Sequence, residues 1–290
     1  MPVFDQGYQS YLGPKRTLGR RWIPVWREEA VPYLRKRYFL LLLIVAFLPW
    51  LFGGVGLSFI RSQAGSLEWA KEIIAKLPEI NEAWVAKLLT LGWSNFLLAI
   101  VCVWVGSGLV ARDRKEHTLE VFLGRALGPA QYLFAKGAAL GVYLLFFTFV
   151  PVALLAAFHV GLTGDVSFLW AHSRVIWGTL LYTAIGPGAL IIFTLALSSL
   201  SRSPRVAGLA LIGVLFFGPP ASGIMWAITK NQLSWTLGIL VELKALGYHC
   251  LGVAPEPEIS ALHSFLYFAA LILFSLGVLY ARFSKRGVLR

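Results

Sequence analysis

Charge is scarce in this 290-residue sequence. Asp, Glu, Lys and Arg together make up only 14% of it, against roughly 25% in an ordinary soluble domain. Hydrophobic residues make up 58%, and they fall into uncharged blocks of about 20 residues, the length that a helix needs to cross a bilayer. A β-barrel would instead show weaker segments of about ten residues with alternating polarity. The composition therefore predicts an all-α, polytopic membrane protein.

Cysteine is almost absent as well. Cys102 lies within an apolar block and Cys250 lies in a late connection, so no disulfide framework is expected. His249 and His263 lie near Cys250 in the sequence, but this loose spacing is not that of a closed metal site. We therefore expect no metal and no cofactor.

Six membrane spans are predicted, each free of Asp, Glu, Lys and Arg. They cover residues 38–60, 88–110, 137–162, 175–200, 206–229 and 261–280. Residues 1–37 then form an N-terminal tail and residues 281–290 a C-terminal tail. The two tails and the connections after the second and fourth spans hold 19 Lys and Arg residues, whereas the other three connections hold 7. The positive-inside rule therefore predicts that both termini are cytoplasmic.

The N-terminal tail ends in RRWIPVWREEAVPYLRKR, which mixes aromatic residues with arginine and glutamate. One interpretation is an amphipathic helix that lies in the membrane interface. The other is simple aromatic and basic anchoring of the first span. The net charge of +12 fits attraction to anionic lipid on the cytoplasmic side and requires no nucleic-acid partner.

The connection between the second and third spans interrupts the apolar sequence. The stretch ARDRKEHTLEVFLGRALGPAQYLFAKG, residues 111–137, holds eight charges and a histidine. Leu119, Phe122 and Leu123 recur at helical spacing and predict one apolar stripe, and Gly128–Pro129 separates this helix from a second one. Two antiparallel helices need only about 2–8 connecting residues. The additional length predicts a binding partner, either another protein or the membrane surface.

Two glycine–proline clusters interrupt predicted spans. They are Gly186, Pro187 and Gly188 in the fourth span and Gly218, Pro219 and Pro220 in the fifth. Proline leaves helical carbonyls without a donor, which lipid tolerates only where protein or water replaces it. We therefore expect a break at 218–220 and consider both clusters candidates for a kink or a gate. The fifth span either kinks there, or ends there so that ASGIMWAIT dips back as a re-entrant helix.

The order of these parts resembles the permease subunits of ATP-binding-cassette transporters of the type-2, export-class family. In that family, the connection between spans two and three carries charged residues, then Thr-Leu-Glu, then a proline, then a helix that ends in Gly-Lys or Lys-Gly. The matching residues are Glu116, Thr118, Leu119, Glu120, Pro129, Lys136 and Gly137, with His117 where the family commonly has glycine. The layout matches over nearly the whole chain, but the motif covers only residues 114–137.

The resemblance implies a non-catalytic permease that exports a substrate across a bacterial inner membrane while a separate ATPase subunit hydrolyses ATP. The middle connection would be the coupling helix, docked in a groove of the ATPase. Its contacts would be Glu116, Thr118, Leu119, Glu120, Phe122, Leu123 and Arg125. A second permease, identical or homologous, would complete the assembly.

The alternative functions are a membrane enzyme, or an ATPase-regulated scaffold that transports nothing. The sequence contains no phosphate-binding Gly-x-x-x-x-Gly-Lys-Ser/Thr motif and no Gly-x-Ser-x-Gly or His-Glu-x-x-His motif. Five residues lie between His159 and Asp165, whereas four lie between the two residues of the acyltransferase pattern, so no catalytic residue is assigned. The predicted spans also lack the acids and bases that secondary transporters usually carry.

Overall fold

The structure is a computed structural model that describes residues 22–56, 58–60, 81–116, 118, 128–164 and 167–284. All regular secondary structure in these residues is helical, which confirms the predicted all-α class. The α-helices of this part of the chain are α1 (Trp22–Leu34), α2 (Arg37–Trp50), α3 (Glu82–Leu89), α4 (Gly92–Val101), α5 (Gly108–Lys115), α6 (Pro129–Phe147), α7 (Phe149–Thr163), α8 (Ser167–Ala171), α9 (Ser173–Leu200), α10 (Pro204–Thr229), α11 (Ile239–Cys250) and α12 (Ala261–Phe283). The π-helical turns Leu51–Gly56 and Cys102–Gly106 extend α2 and α4, and the 3-10 helix Gln232–Leu237 precedes α11.

Among the described residues, six helical segments are long and apolar enough to cross a membrane. They are Arg37–Ile60, Gly92–Lys115, Pro129–Leu162, Ser173–Leu200, Pro204–Thr229 and Ala261–Phe283. The prediction of a six-span membrane protein is therefore confirmed. The spans differ in their position within the bundle, because 78% of the second span is buried against only 17% of the fifth. The peripheral spans thus present most of their apolar surface outward.

Two spans extend into charged sequence by five residues or more beyond their predicted bounds. The second span continues past residue 110 to Lys115, and the third begins at Pro129 and not at residue 137. Both extensions contain a charged residue that is buried inside the protein, Asp113 in the second span and Lys136 in the third. A charge ends a span only if it must remain in water, and these two charges have partners within the bundle.

The fifth span is continuous through its glycine–proline cluster. Gly218, Pro219 and Pro220 all lie within α10, so the interpretation in which the span ends there and ASGIMWAIT dips back is wrong. A Cβ atom at residue 218 would lie only 2.6 Å from the carbonyl oxygen of Leu237. The glycine therefore permits a close crossing between α10 and the chain that follows it.

A re-entrant segment does exist, but it consists of the 3-10 helix and α11. α10 extends 11 residues, or about 17 Å, beyond the crossing at Gly218. The chain that follows α10 therefore comes back by about the same distance into the bundle before α11 begins. α11 then runs back along α9, which is itself continuous through Gly186, Pro187 and Gly188. A Cβ atom at Gly186, midway along α9, would lie 2.4 Å from Cδ1 of Leu243. α11 therefore starts near the middle of the membrane.

The two ends of the bundle differ in charge. α1, the end of α5, the start of α6 and the ends of α9 and α12 meet at one end, which we call the basic end. It holds 11 of the 15 Lys and Arg residues in the described part of the chain. The other four, at the opposite end, are Lys87, Arg174, Lys230 and Lys244. Applied to this asymmetry, the positive-inside rule predicts that the basic end is cytoplasmic, and this orientation stays a prediction.

Cysteine labelling tests this orientation. In a variant that lacks Cys102 and Cys250, Asn231→Cys should react with a membrane-impermeant maleimide in intact cells, because residue 231 is exposed at the opposite end. Lys115→Cys, exposed at the basic end, should react only after the cells are permeabilised. Labelling of residue 115 in intact cells would show that the protein has the reverse orientation.

Candidate functional site

A buried cluster of charges joins three helices at the basic end. Lys136 on α6 is only 1% exposed, and its Nζ lies 2.7 Å from Oδ2 of Asp113 on α5. The same Nζ also pairs with Oε1 of Glu29 on α1. Tyr132, one turn before Lys136, donates its hydroxyl to Asp113 Oδ2 at 2.7 Å. We call these four residues the basic-end cluster; in it, one cation is shared by two carboxylates from different helices.

The inner face of α1 continues this contact along α6. Tyr143 donates its hydroxyl to the backbone carbonyls of Ala30 and Glu29. Tyr33 packs edge-on against Tyr143, with ring centroids 6.2 Å apart, and accepts a hydrogen bond of 3.3 Å from Arg112 Nη2. The helix predicted in the N-terminal tail therefore exists, and one of its faces packs on the bundle. Its location in the membrane interface remains a prediction.

The middle connection leaves the bundle directly from the basic-end cluster. Asp113 lies in the last turn of α5, and α6 begins only three residues before Tyr132. Glu116 follows α5 and is exposed, and Thr118 donates its hydroxyl to the carbonyl oxygen of Asp113 at 3.3 Å. The remaining predicted coupling residues lie outside the residues that the structure describes: Leu119, Glu120, Phe122, Leu123 and Arg125.

A serine fixes the second span to the fourth just above this cluster. Ser198 on α9 accepts hydrogen bonds from the backbone N–H groups of Val110 at 3.1 Å and Ala111 at 3.0 Å, and donates one to the carbonyl of Ser107 at 2.9 Å. These bonds follow directly on the π-helical turn Cys102–Gly106, where the regular bonding pattern of the helix changes. α5 is thereby held on α9, the central helix of the bundle.

A second buried ionisable cluster lies on the re-entrant segment. Glu242 on α11 is fully buried, and its Oε2 accepts a 3.0 Å hydrogen bond from Ser264 on α12. Its Oε1 lies 3.1 Å from Nε2 of His263, an ion-pair distance without the alignment of a hydrogen bond. Burial raises the pKa of the Glu242 carboxyl, and the contacts with Ser264 and His263 partly offset this rise. We call these three residues the re-entrant cluster.

The histidines and the cysteine near the opposite end do not surround a common point. His249 Nε2 lies 2.8 Å from the carbonyl oxygen of Ile259, whereas His263 pairs with Glu242. Among the described residues, no three His, Cys, Asp or Glu side chains lie close enough together to bind a metal. In this part of the chain, the side chains of the two clusters hold charges and protons at fixed positions.

Buried acids and bases do occur in the bundle, near the ends of two spans and on the re-entrant segment. Asp113 and Lys136 are buried within spans, and Glu242 is buried on the re-entrant helix. One signal for the first pair was the spacing of Tyr132 and Lys136, which places both on one face of a helix. For Glu242, the signal was the pattern Ile239, Glu242, Leu243 and Leu246, which puts the acid on the apolar stripe of α11.

The sequence matches no known protein-family model, and no curated protein matches it at a significant level. Function is therefore inferred from the two clusters, the re-entrant segment and the residues of the middle connection.

Loss of the shared cation should destabilise the protein strongly. In Lys136→Met, the buried carboxylate of Asp113 and the partly exposed carboxylate of Glu29 would lose their shared cation, at a cost of about 3–5 kcal/mol. Thermal unfolding in detergent, followed by tryptophan fluorescence, measures this loss. Lys115→Met is the matched control, since this lysine is exposed and its removal should change stability by less than about 0.5 kcal/mol.

A triple variant separates the charges from the packing. Combining Lys136→Met with Asp113→Asn and Glu29→Gln removes every charge of the basic-end cluster and should recover much of the lost stability. If Lys136→Met were as stable as Lys115→Met, the ion pairs of the cluster would not hold the helices together.

The re-entrant cluster predicts a dependence of stability on pH. Because the pKa of Glu242 is higher in the native than in the unfolded protein, the bound proton stabilises the native state at low pH. That stabilisation is lost as the pH rises through the native pKa. The melting temperature should therefore fall as the pH rises above the ordinary pKa of a glutamate, about 4.3. Glu242→Gln should flatten this dependence, whereas the exposed Glu258→Gln should keep the wild-type slope.

Proposed function

We propose that the protein is the transmembrane permease subunit of an ATP-binding-cassette exporter, working with a separate ATPase and a second permease subunit. The observation that carries this proposal is the origin of the middle connection in a buried, charge-paired cluster at the basic end. A loop that merely joined two spans would need neither its length nor this attachment. The resemblance of residues 114–137 to the coupling segment of that family supports the same function.

The basic-end cluster provides a route for force. A coupling helix displaced by the ATPase would move the end of α5 and the start of α6 together, because Asp113 and Tyr132 are bonded to each other. Lys136 would pass the displacement to α1 through Glu29, and Ser198 would pass it to α9. A buried charge cluster suits this role because its members cannot separate without leaving an unpaired charge in a medium of low polarity.

The displacement of the helices at the basic end would act on the re-entrant segment toward the opposite end of the bundle. α9 contacts α11 at Gly186, and α11 is hydrogen-bonded to α12 through Glu242 and Ser264. On this proposal, Gly186 and Gly218 serve the gate by letting the re-entrant segment lie close against two spans. The gate is then the movable segment Gln232–Cys250, and it packs against the two glycine–proline clusters.

The apolar stripe of the middle connection should be the contact with the ATPase. Leu123→Asp should reduce the ATPase that co-purifies with the tagged protein at least tenfold, because loss of a well-packed leucine costs about 2–5 kcal/mol. The amount of protein in the membrane should not change. Leu233→Asp, an exposed leucine at the opposite end, is the matched control and should retain the ATPase.

The result also separates the alternative functions. If no nucleotide-binding protein co-purifies with the wild type, the permease proposal fails and a membrane enzyme becomes the better interpretation. If an ATPase binds and hydrolyses ATP without vectorial transport, the scaffold is favoured. Wild-type binding of the ATPase to Leu123→Asp would show that the dock lies elsewhere.

One observation favours a second candidate, a carrier driven by a proton gradient. Ionisable residues in the interior of a membrane protein commonly mark proton or ion pathways, and Glu242 with His263 is such a pair. In proteoliposomes without ATP, a carrier would dissipate an imposed pH gradient faster than the Glu242→Gln variant does. Equal rates for both proteins would exclude this function for the re-entrant cluster.

A further inference from the structure

A long apolar groove lies on the lipid-facing surface of the helix bundle, between α6, α9 and α12. It has a volume of about 920 Å³. Its lining includes Gly137 and Gly141 on α6, Gly188 on α9 and Leu279 on α12, so small residues on two helices make room for an occupant. Since all three helices belong to membrane spans, the groove faces hydrocarbon or another membrane-embedded molecule.

The length of the groove matches one leaflet. Its lining on α6 extends from Pro129 to Gly141, which is 12 residues or about 18 Å along the helix axis. Half of the hydrocarbon core of a bilayer is about 15 Å thick. The groove therefore spans the leaflet at the basic end and stops near the bilayer centre, as the acyl chain of a lipid does.

Three arginines lie where the groove reaches the basic end. Arg114 donates to the carbonyl oxygen of Ser199, which is one turn beyond the groove residue Leu195 on α9. Arg282 precedes Phe283, another groove residue, and Arg202 follows the end of α9. We call Arg114, Arg202 and Arg282 the arginine cluster.

The arginine cluster has an excess of positive charge. The charges of Arg202 and Arg282 both act on the guanidinium of Arg114, so each of the two lies close enough to repel Arg114. Within the described residues, no carboxylate forms an ion pair with any of the three. Arg202 and Arg282 are exposed. The cluster is therefore complementary to an anion that approaches from the membrane surface.

We propose that the groove and the arginine cluster together bind one anionic phospholipid of the leaflet at the basic end. The headgroup phosphate lies on the arginines, and one acyl chain fills the groove. An acidic protein surface would satisfy the arginines but would leave the groove between the spans empty, whereas a phospholipid accounts for both features. This proposal does not depend on the proposed transport function.

Native mass spectrometry of the detergent-purified protein tests the site, with dioleoyl phosphatidylglycerol as the probe. The wild type should bind one molecule of this lipid more tightly than dioleoyl phosphatidylcholine. Arg202→Gln combined with Arg282→Gln should weaken binding about 25-fold, since each basic residue near an anionic headgroup contributes about a factor of five. Arg35→Gln combined with Arg37→Gln removes two exposed charges from the same end and should leave binding unchanged.

Substitution of a glycine that lines the groove tests the groove without any change of charge. Gly141→Leu should place a side chain in the groove and abolish retention of the lipid. Gly141→Ala should retain it, because a Cβ atom there lies 3.5 Å from Cδ1 of Ile191, an ordinary contact distance.

Four outcomes would overturn the proposal. They are equal binding of both lipids, equal weakening by the two arginine double variants, unchanged retention by Gly141→Leu, and competition by glycerol phosphate as strong as that by the lipid. The last would indicate a site for free phosphate esters. Arginine variants that keep the lipid but lose a co-purifying ATPase would assign the cluster to a protein interface instead.

Discussion

An ammonium group that leaves water must take a negative partner with it, and the position of Lys136 follows from this constraint. Its Nζ is held by carboxylates from two other helices, so moving α1, α5 or α6 away from the others would leave a charge without its partner. Apolar packing between membrane helices is far more permissive, because lipid tails offer much the same contacts. Helix positions at the basic end are therefore set by charge, and so are the points at which α5 ends and α6 begins.

In the other half of the bundle, close packing between helix backbones determines where the helices lie. Glycine at 186 and 218 removes the side chains that would keep the re-entrant segment away from α9 and α10. This is the usual way in which membrane helices gain contact without a hydrophobic driving force. The fully buried carboxylate of Glu242 then lies against α12, where a serine and a histidine meet it.

The sequence allowed the six spans to be predicted because apolarity over a spanning length is itself the physical requirement. Prediction failed where a tertiary partner cancels a local signal. Lys136 should end a span by its charge, yet it is paired and buried; Gly218–Pro220 should end a helix, yet α10 continues and the glycine serves a crossing. The fold back of α11 could not be predicted, because its course depends on glycines in two other helices. The predicted ATPase contacts from Leu119 to Arg125 remain predictions.

The bond between Glu242 and Ser264 has a consequence for biosynthesis. The two residues are 22 positions apart in the chain, and the partner belongs to the last span. When Glu242 emerges from the ribosome, neither Ser264 nor His263 has been made. The Glu242 carboxyl can meet these partners only after α12 has been synthesised, so the contact between α11 and α12 forms late in biosynthesis. A chain truncated before α12 would leave this buried carboxyl without either partner.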